Sequence, residues 1–170
     1  MTEYICNDEH YSKVLAICRK AKKSLWLGTA DIKDLYVEKG RAKVPFLEIL
    51  ADLVEKGVEV KLLHAKEPGK NFREDFDKYP VLFDGLQRRL CPRVHFKIVI
   101  IDGKTAYAGS ANLTGAGIGL KSSSRRNFEA GVFSDEKVFV KQAQKQFESV
   151  FAGDFCKSCG RKAFCGDRIK

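Results

Sequence analysis

The sequence is poor in proline, with 4 residues in 170, and it carries one tryptophan and one methionine. Proline-rich spacers and low-complexity linkers are therefore excluded, and 44% hydrophobic with 31% charged residues is the composition of an ordinary globular protein. Long apolar runs are lacking too. The longest aliphatic stretch, Ile98 to Ile101, falls far short of the roughly 20 residues of a bilayer-spanning helix. Residues 1 to 20 have neither the basic start nor the apolar run of a secretion signal, so a cytoplasmic protein is expected. Negative charge is also in deficit: 22 acidic against 31 basic residues leave +9, a balance that favours polyanionic partners such as nucleic acid or an anionic membrane.

What is present fits a single domain. Its length and periodicity predict one α/β unit over 1–153 and a short cysteine-bearing tail over 154–170. Residues 8 to 23 read as a helix, with Tyr11, Val14, Leu15 and Cys18 on one face. Ser24 to Ala30 reads as a buried strand, Pro45 opens a second helix that Gly57 closes, and Val58 to His64 follows as a strand parallel to the first. Residues 65 to 80 are polar and read as a surface excursion or lid. Val94 to Ile101 is apolar on both faces except at its beginning, the pattern of a central strand with a polar end. Asp102-Gly103 predicts a two-residue hairpin turn, Lys104 to Gly109 the returning strand and Asn127 to Phe133 another. Ser134 caps a last helix with Phe139, Ala143, Phe147 and Val150 on one stripe. The expected fold class is α/β, a mixed central sheet with helices on both faces.

Strand geometry sets residues two apart on one face, which pairs His95 with Lys97, Ser110 with Asn112, and Asn127 with Glu129. A two-residue turn at Asp102-Gly103 places His95 opposite Ser110 and Lys97 opposite Ala108, whereas a bulge shifts that register. These residue types suit phosphoryl transfer: an imidazole can attack phosphorus while ammonium and amide donors stabilise the non-bridging oxygens. Glu129 can orient an imidazole or pair with Arg125 or Arg126.

His95-Phe96-Lys97, four residues and Asp102, followed by Gly109-Ser110-Ala111-Asn112, resembles the signature of the phospholipase D superfamily. With Asn127-Phe128-Glu129 the likeness covers residues 94 to 133, and the order of strands and helices extends it over 8 to 152. The resemblance implies a two-step phosphodiesterase that needs no metal for catalysis. In it His95 is the nucleophile, Lys97 and Asn112 hold the phosphate, and Ser110 and Glu129 support the imidazoles. Asp102 belongs to the motif, but its place in a turn points to a structural role. The mechanism uses two histidines while this chain has one copy of the motif, so the resemblance implies a homodimer, with His64 as the internal alternative.

Lys121, Arg125 and Arg126 lie in the loop before Asn127, where they either track a nucleic-acid backbone or form a solvated face. Aromatic residues for base stacking are not evident there. Cys156 and Cys159, then Cys165, have zinc-like spacing but supply three ligands where a structural site needs four. Cys91, just before the catalytic strand, is the chosen fourth, with Cys6, Cys18 and His64 as alternatives; the other readings of these cysteines are a flexible tail with free thiols or a cluster of another metal. Six cysteines without a secretion signal argue against a disulfide framework. The functional expectation is a nuclease; a lipid phosphodiesterase and a catalytically silent nucleic-acid-binding module are the alternatives.

Overall fold

In the computed structural model, which describes residues 1–167, the chain opens with a strand that the sequence pattern did not anticipate, β1 (Thr2–Cys6). The last three positions of the expected tail, 168–170, lie outside the described residues. A π-helical turn over His10–Leu15 runs into a short helix, α1 (Ala16–Cys18), and buries Val14, Leu15 and Cys18 as the periodicity predicted. The helix expected to reach residue 23 stops early, because the backbone N–H groups of Lys22, Lys23 and Ser24 are committed to the carboxylate of Asp102.

The chain continues through β2 (Ser24–Thr29), a small hairpin of β3 (Tyr36–Lys39) and β4 (Ala42–Pro45), α2 (Phe46–Glu55) and β5 (Glu59–His64). Pro45 stands at the helix N-cap and Gly57 takes a φ of +79° just past its end, as the helix signals required. The polar segment read as a lid holds α3 (Lys70–Phe76), which anchors through the buried Phe72. Next come α4 (Val81–Gly85), β6 (Leu86–Leu90), β7 (Lys97–Ile101), β8 (Thr105–Gly109), β9 (Ala130–Ser134) and α5 (Lys137–Phe151). Ser134 ends β9, and its hydroxyl accepts from the N–H of Glu136, which is itself the N-cap of α5.

Among the described residues the main sheet has seven strands in the order β1-β9-β8-β7-β2-β5-β6. β2, β5 and β6 are parallel, and the remaining pairings are antiparallel, so the sheet is mixed. Leu25, Leu27, Val60 and Leu62 face the core shared with α1, α2, α3 and α4, while Trp26, Leu63, Ile98 and Ile100 pack on Val140, Ala143 and Phe147 of α5. Helices thus cover both faces, the architecture expected from the sequence. Among the described residues no helix is long and apolar enough to cross a membrane.

Two strand expectations need correction. Ile101 pairs with Thr105 and Lys97 with Gly109, so the turn contains three residues, with Asp102 and Gly103 both at positive φ (55° and 62°). The extra residue is Lys104, whose N–H closes the turn on Ile101 O at 3.0 Å and which shifts the register by one. The paired part of β7 begins at Lys97 and that of β8 ends at Gly109, so His95 and Ser110 both lie beyond the ladder. Residues 127–129 also precede their strand, which starts at Ala130.

Candidate active site

The site forms where β7 begins, beside the carboxyl ends of the parallel strands β2 and β5. Lys97 is only 7% exposed, and its Nζ donates to the carbonyl oxygen of His95 at 2.8 Å. It lines a small internal cavity with His10, Tyr107, Ala111, Leu113 and Ile118. Among the described residues the ammonium has this one acceptor and no ion pair. A buried cation without a counter-charge is expensive. His95 is exposed, and among the described residues its ring makes no hydrogen bond. His64, the internal alternative for a second histidine, is fully buried and its Nδ1 points at Lys66 O. Burial holds its imidazole below the usual histidine range, and it presents no exposed proton to a substrate.

Ser110 and Asn112 serve different neighbours and do not point together as a strand pair. The Ser110 hydroxyl donates to Glu129 Oε2 and accepts the Ala130 N–H at 3.0 Å. Glu129 takes its second donor from Asn127 Nδ2 at 2.9 Å, so both carboxylate oxygens are oriented. Asn112 Oδ1 accepts from the Asp31 N–H at 3.1 Å and lies 3.2 Å from the Thr29 hydroxyl. Because the oxygen must face the Asp31 N–H, the amide nitrogen faces away, and among the described residues it has no partner. Asn112 therefore offers a free N–H donor pair held by a fixed oxygen.

The glycine of the motif has a steric reason. A Cβ at Gly109 would lie 2.2 Å from Tyr107 Oη and 2.6 Å from Ala130 O, inside any permitted contact. Asp102 stands at the far end of β7 from His95, where its carboxylate accepts from Lys23 N at 2.7 Å and from Lys22 N and Ser24 N at 3.0 Å. Burial pushes its pKa up, but the N–H groups of Lys23, Ser24 and Lys22 outweigh that and hold it below the ordinary aspartate value. Asp102 thus ties the hairpin turn to the entry of β2.

The basic loop divides. Arg126 pairs with Asp8 at 3.2 Å, Lys121 lines a separate cleft with Tyr11, Asp34 and Tyr36, and Arg125 is exposed. Two contributors escaped sequence reasoning. Phe128, between Asn127 and Glu129, is 94% exposed, so an aromatic ring does stand at the site. Asn7, just ahead of the first helical turn, exchanges main-chain and side-chain bonds with Glu129, at 3.0 Å (Asn7 N to Glu129 O) and 3.3 Å (Glu129 N to Asn7 Oδ1). The available signal was the asparagine itself, a residue type that tolerates the φ of +48° the chain takes just after β1.

Among the described residues no group of three or more His, Cys, Asp or Glu side chains stands ready to hold a metal ion. Cys91, Cys156 and Cys159 nevertheless line one cleft, and Cys165 Sγ lies 3.8 Å from Leu90 O. Cys18 is buried in the core and Cys6 bonds to Glu9, so neither alternative joins them.

Residues 14–151 match the family model described as the cardiolipin synthase, PLD-like domain. No curated protein matches. Among solved structures, NucT from Helicobacter pylori superimposes with a TM-score of 0.65 at 14% identity, covering 89% of this chain and 97% of that one. The phospholipase D family member Nuc from Salmonella typhimurium gives 0.61 at 20%, covering 88% and 92%. The archaeal chromatin protein TrmBL2, described with a mode of DNA binding, gives 0.56 at 14%, covering 89% and 52%. At these identities the structural likeness establishes the fold.

Proposed function

The chain belongs to the phospholipase D-like family, and from that membership we propose that it is a nuclease, cleaving phosphodiester bonds without a catalytic metal at the interface of a homodimer. The observation that carries this reading is the buried ammonium of Lys97, which among the described residues lacks a counter-anion and sits two residues from an exposed imidazole with no hydrogen-bond partner among them. A phosphate diester supplies the missing charge to Lys97 and Asn112 and an electrophile to His95.

In the first step a ring nitrogen of His95 gives its lone pair to phosphorus, and the bond from phosphorus to the leaving oxygen breaks. The partner subunit's His95 donates the proton that this oxygen takes up. Water then attacks the phosphohistidine, its proton passes to the partner subunit's His95, and the phosphorus–nitrogen bond breaks with return of the electron pair to the ring. In this reading Glu129, oriented by Ser110 and Asn127, is the anion that stabilises an imidazolium. A net charge of +9, doubled in a dimer, favours a polyanion over a single lipid headgroup, and the DNA-binding description of TrmBL2 supports the same substrate class.

The test is incubation of purified protein with single-stranded DNA, duplex DNA, RNA, a bis-aryl phosphodiester and phospholipid vesicles, with magnesium and calcium chelated. Nucleic-acid cleavage that disappears in His95→Ala is the expected result, with sedimentation reporting a dimer. Activity confined to vesicles assigns the site to lipid, and retardation of nucleic acid without products reduces it to a binding module.

A further inference from the structure

Among the described residues after Gly153 there is no helix beyond a single 3-10 turn at Lys162–Phe164, and no hydrophobic core. Phe155 and Phe164, its bulkiest apolar residues, are 52% and 71% exposed. Within 154–167 the only residues not exposed are Cys156, Cys159 and Cys165. A segment that turns nothing but three thiols inward cannot be held by apolar burial, and short segments of this kind are held by cross-links or metal ions.

The body of the protein meets those thiols with a fourth. Cys91 follows β6, and its position is fixed by backbone bonds from its N–H to His64 O at 2.8 Å and from Val94 N to its carbonyl at 3.0 Å. Its side chain lines a cleft of about 240 Å³ together with Cys156 and Cys159. The tail returns to the same place further on: Cys165 Sγ lies 3.8 Å from Leu90 O, and Asp167 accepts the Leu90 N–H at 2.6 Å. The turn at Cys156-Lys157-Ser158-Cys159 closes through Cys159 N to Cys156 O at 3.2 Å. The Arg161 N–H donates to Cys159 Sγ at 3.4 Å, as outer-shell donors do around ligating sulfur.

We propose that Cys91, Cys156, Cys159 and Cys165 form a four-thiolate site for a thiophilic divalent ion of the zinc class. Cys91, Cys156 and Cys159 line one cleft and Cys165 lies against Leu90, next to Cys91 in the chain; the four have not closed on a single point, so binding draws the tail inward over residues 91–94. Each thiol that ligates releases its proton to solvent, and four thiolates around one divalent ion leave a net charge of −2 on the centre, about the charge that Arg93 on the cleft wall and Arg161 beside the turn partly offset. The consequence for the rest of the molecule is a staple between the tail and the segment that leads directly into His95.

The test is metal analysis of the full chain purified under reducing conditions and reconstituted with excess zinc, for the native protein and for Cys91→Ser, Cys156→Ser, Cys159→Ser, Cys165→Ser and Cys6→Ser. The expected result is one zinc per chain in the native protein and in Cys6→Ser, with loss of the ion in the other four. Cobalt substitution gives an independent readout, the intense visible and near-ultraviolet bands of tetrahedral thiolate coordination. If Cys91→Ser fails to fold, the three tail variants decide the matter, since among the described residues the tail adds no strand to the sheet. The proposal is overturned by no bound metal after reconstitution, by an ion retained undiminished in Cys156→Ser and Cys159→Ser, or by iron and sulfide in place of zinc. None of these readouts depends on phosphodiesterase activity, so the metal site and the catalytic reading fail separately.

Discussion

Asp102→Asn separates the structural part of the motif from the chemical part. The Asp102 carboxylate accepts three backbone N–H groups, from Lys22, Lys23 and Ser24, and so ties the β7–β8 turn to the start of β2. Hydrogen bonds to an ionised group contribute about 1.5–3 kcal/mol each when well buried. Here most of the partners are exposed, and water can replace much of what is lost, so the low end applies. Asparagine is the clean replacement, because it tolerates the positive φ of 55° and keeps one acceptor oxygen while removing the charge. The expected cost is about 1–2 kcal/mol, and for a chain of this size roughly 2–8 °C in Tm. Since the carboxyl titrates below its ordinary value in the folded state, its stabilisation is complete above about pH 4 and is lost as pH falls through the lowered folded value. Thermal melts of the native protein should therefore lose stability more steeply below pH 4 than those of the variant. Turnover per folded molecule should stay within about threefold. Unchanged Tm with abolished turnover would refute the reasoning and place Asp102 at the phosphate.

Other substitutions test the remaining parts of the site. Lys97→Met should lower kcat by about 10²–10³, the usual loss when one donor to a developing charge is removed, and calorimetry should show weaker binding of inorganic phosphate. Gly109→Ala should cost about 1–3 kcal/mol in a denaturant melt, since its Cβ would strike Tyr107 Oη and Ala130 O. Phe128→Ala should leave stability within about 0.5 kcal/mol because the ring is 94% exposed. It should raise KM for single-stranded nucleic acid by roughly 5- to 100-fold if bases stack there, and an unchanged KM removes the ring from substrate binding.

The frame of the fold was readable because its signals are local and agree. An apolar run, a proline-opened helix closed by Gly57 and a second apolar run demand a parallel pair, and β2 and β5 pair in that way. What escaped depends on contacts between distant segments. β1 is short and half-exposed, and only its pairing with β9, about 130 residues further along the chain, makes it a strand. The helix read to residue 23 ends at Cys18: Lys20 and Ala21 tighten into a turn on Ile17 O and Cys18 O, and the amides of Lys22 to Ser24 go to an aspartate some eighty positions away. One residue, Lys104, decides the hairpin register, and Asp-Gly chemistry alone does not say whether the turn holds two residues or three. Within the site, residue types and spacing pointed to His95, Lys97, Ser110, Asn112 and Glu129. They did not reveal that Asn112 is braced by Asp31 while Ser110 and Asn127 brace Glu129.

That division of partners separates two kinds of residue within one motif. Asp102 and Gly109 are satisfied within the chain: one by three amides, the other by the tight space under Tyr107. Lys97, Asn112 and His95 have hydrogen-bonding capacity left over at the open end of the sheet. Natural proteins rarely leave buried cations and fixed donors without acceptors unless something outside the chain completes them. On the proposed reading a phosphate answers Lys97 and Asn112, but it does not supply the proton donor that a leaving oxygen requires. His64, buried behind the sheet end with its Nδ1 committed to Lys66 O, cannot supply it. A mixture of His95→Ala and Lys97→Met chains should therefore remain as inactive as either parent if each composite site needs all four side chains from two subunits. Activity returning in the mixture would mean that the sites do not draw equally on both.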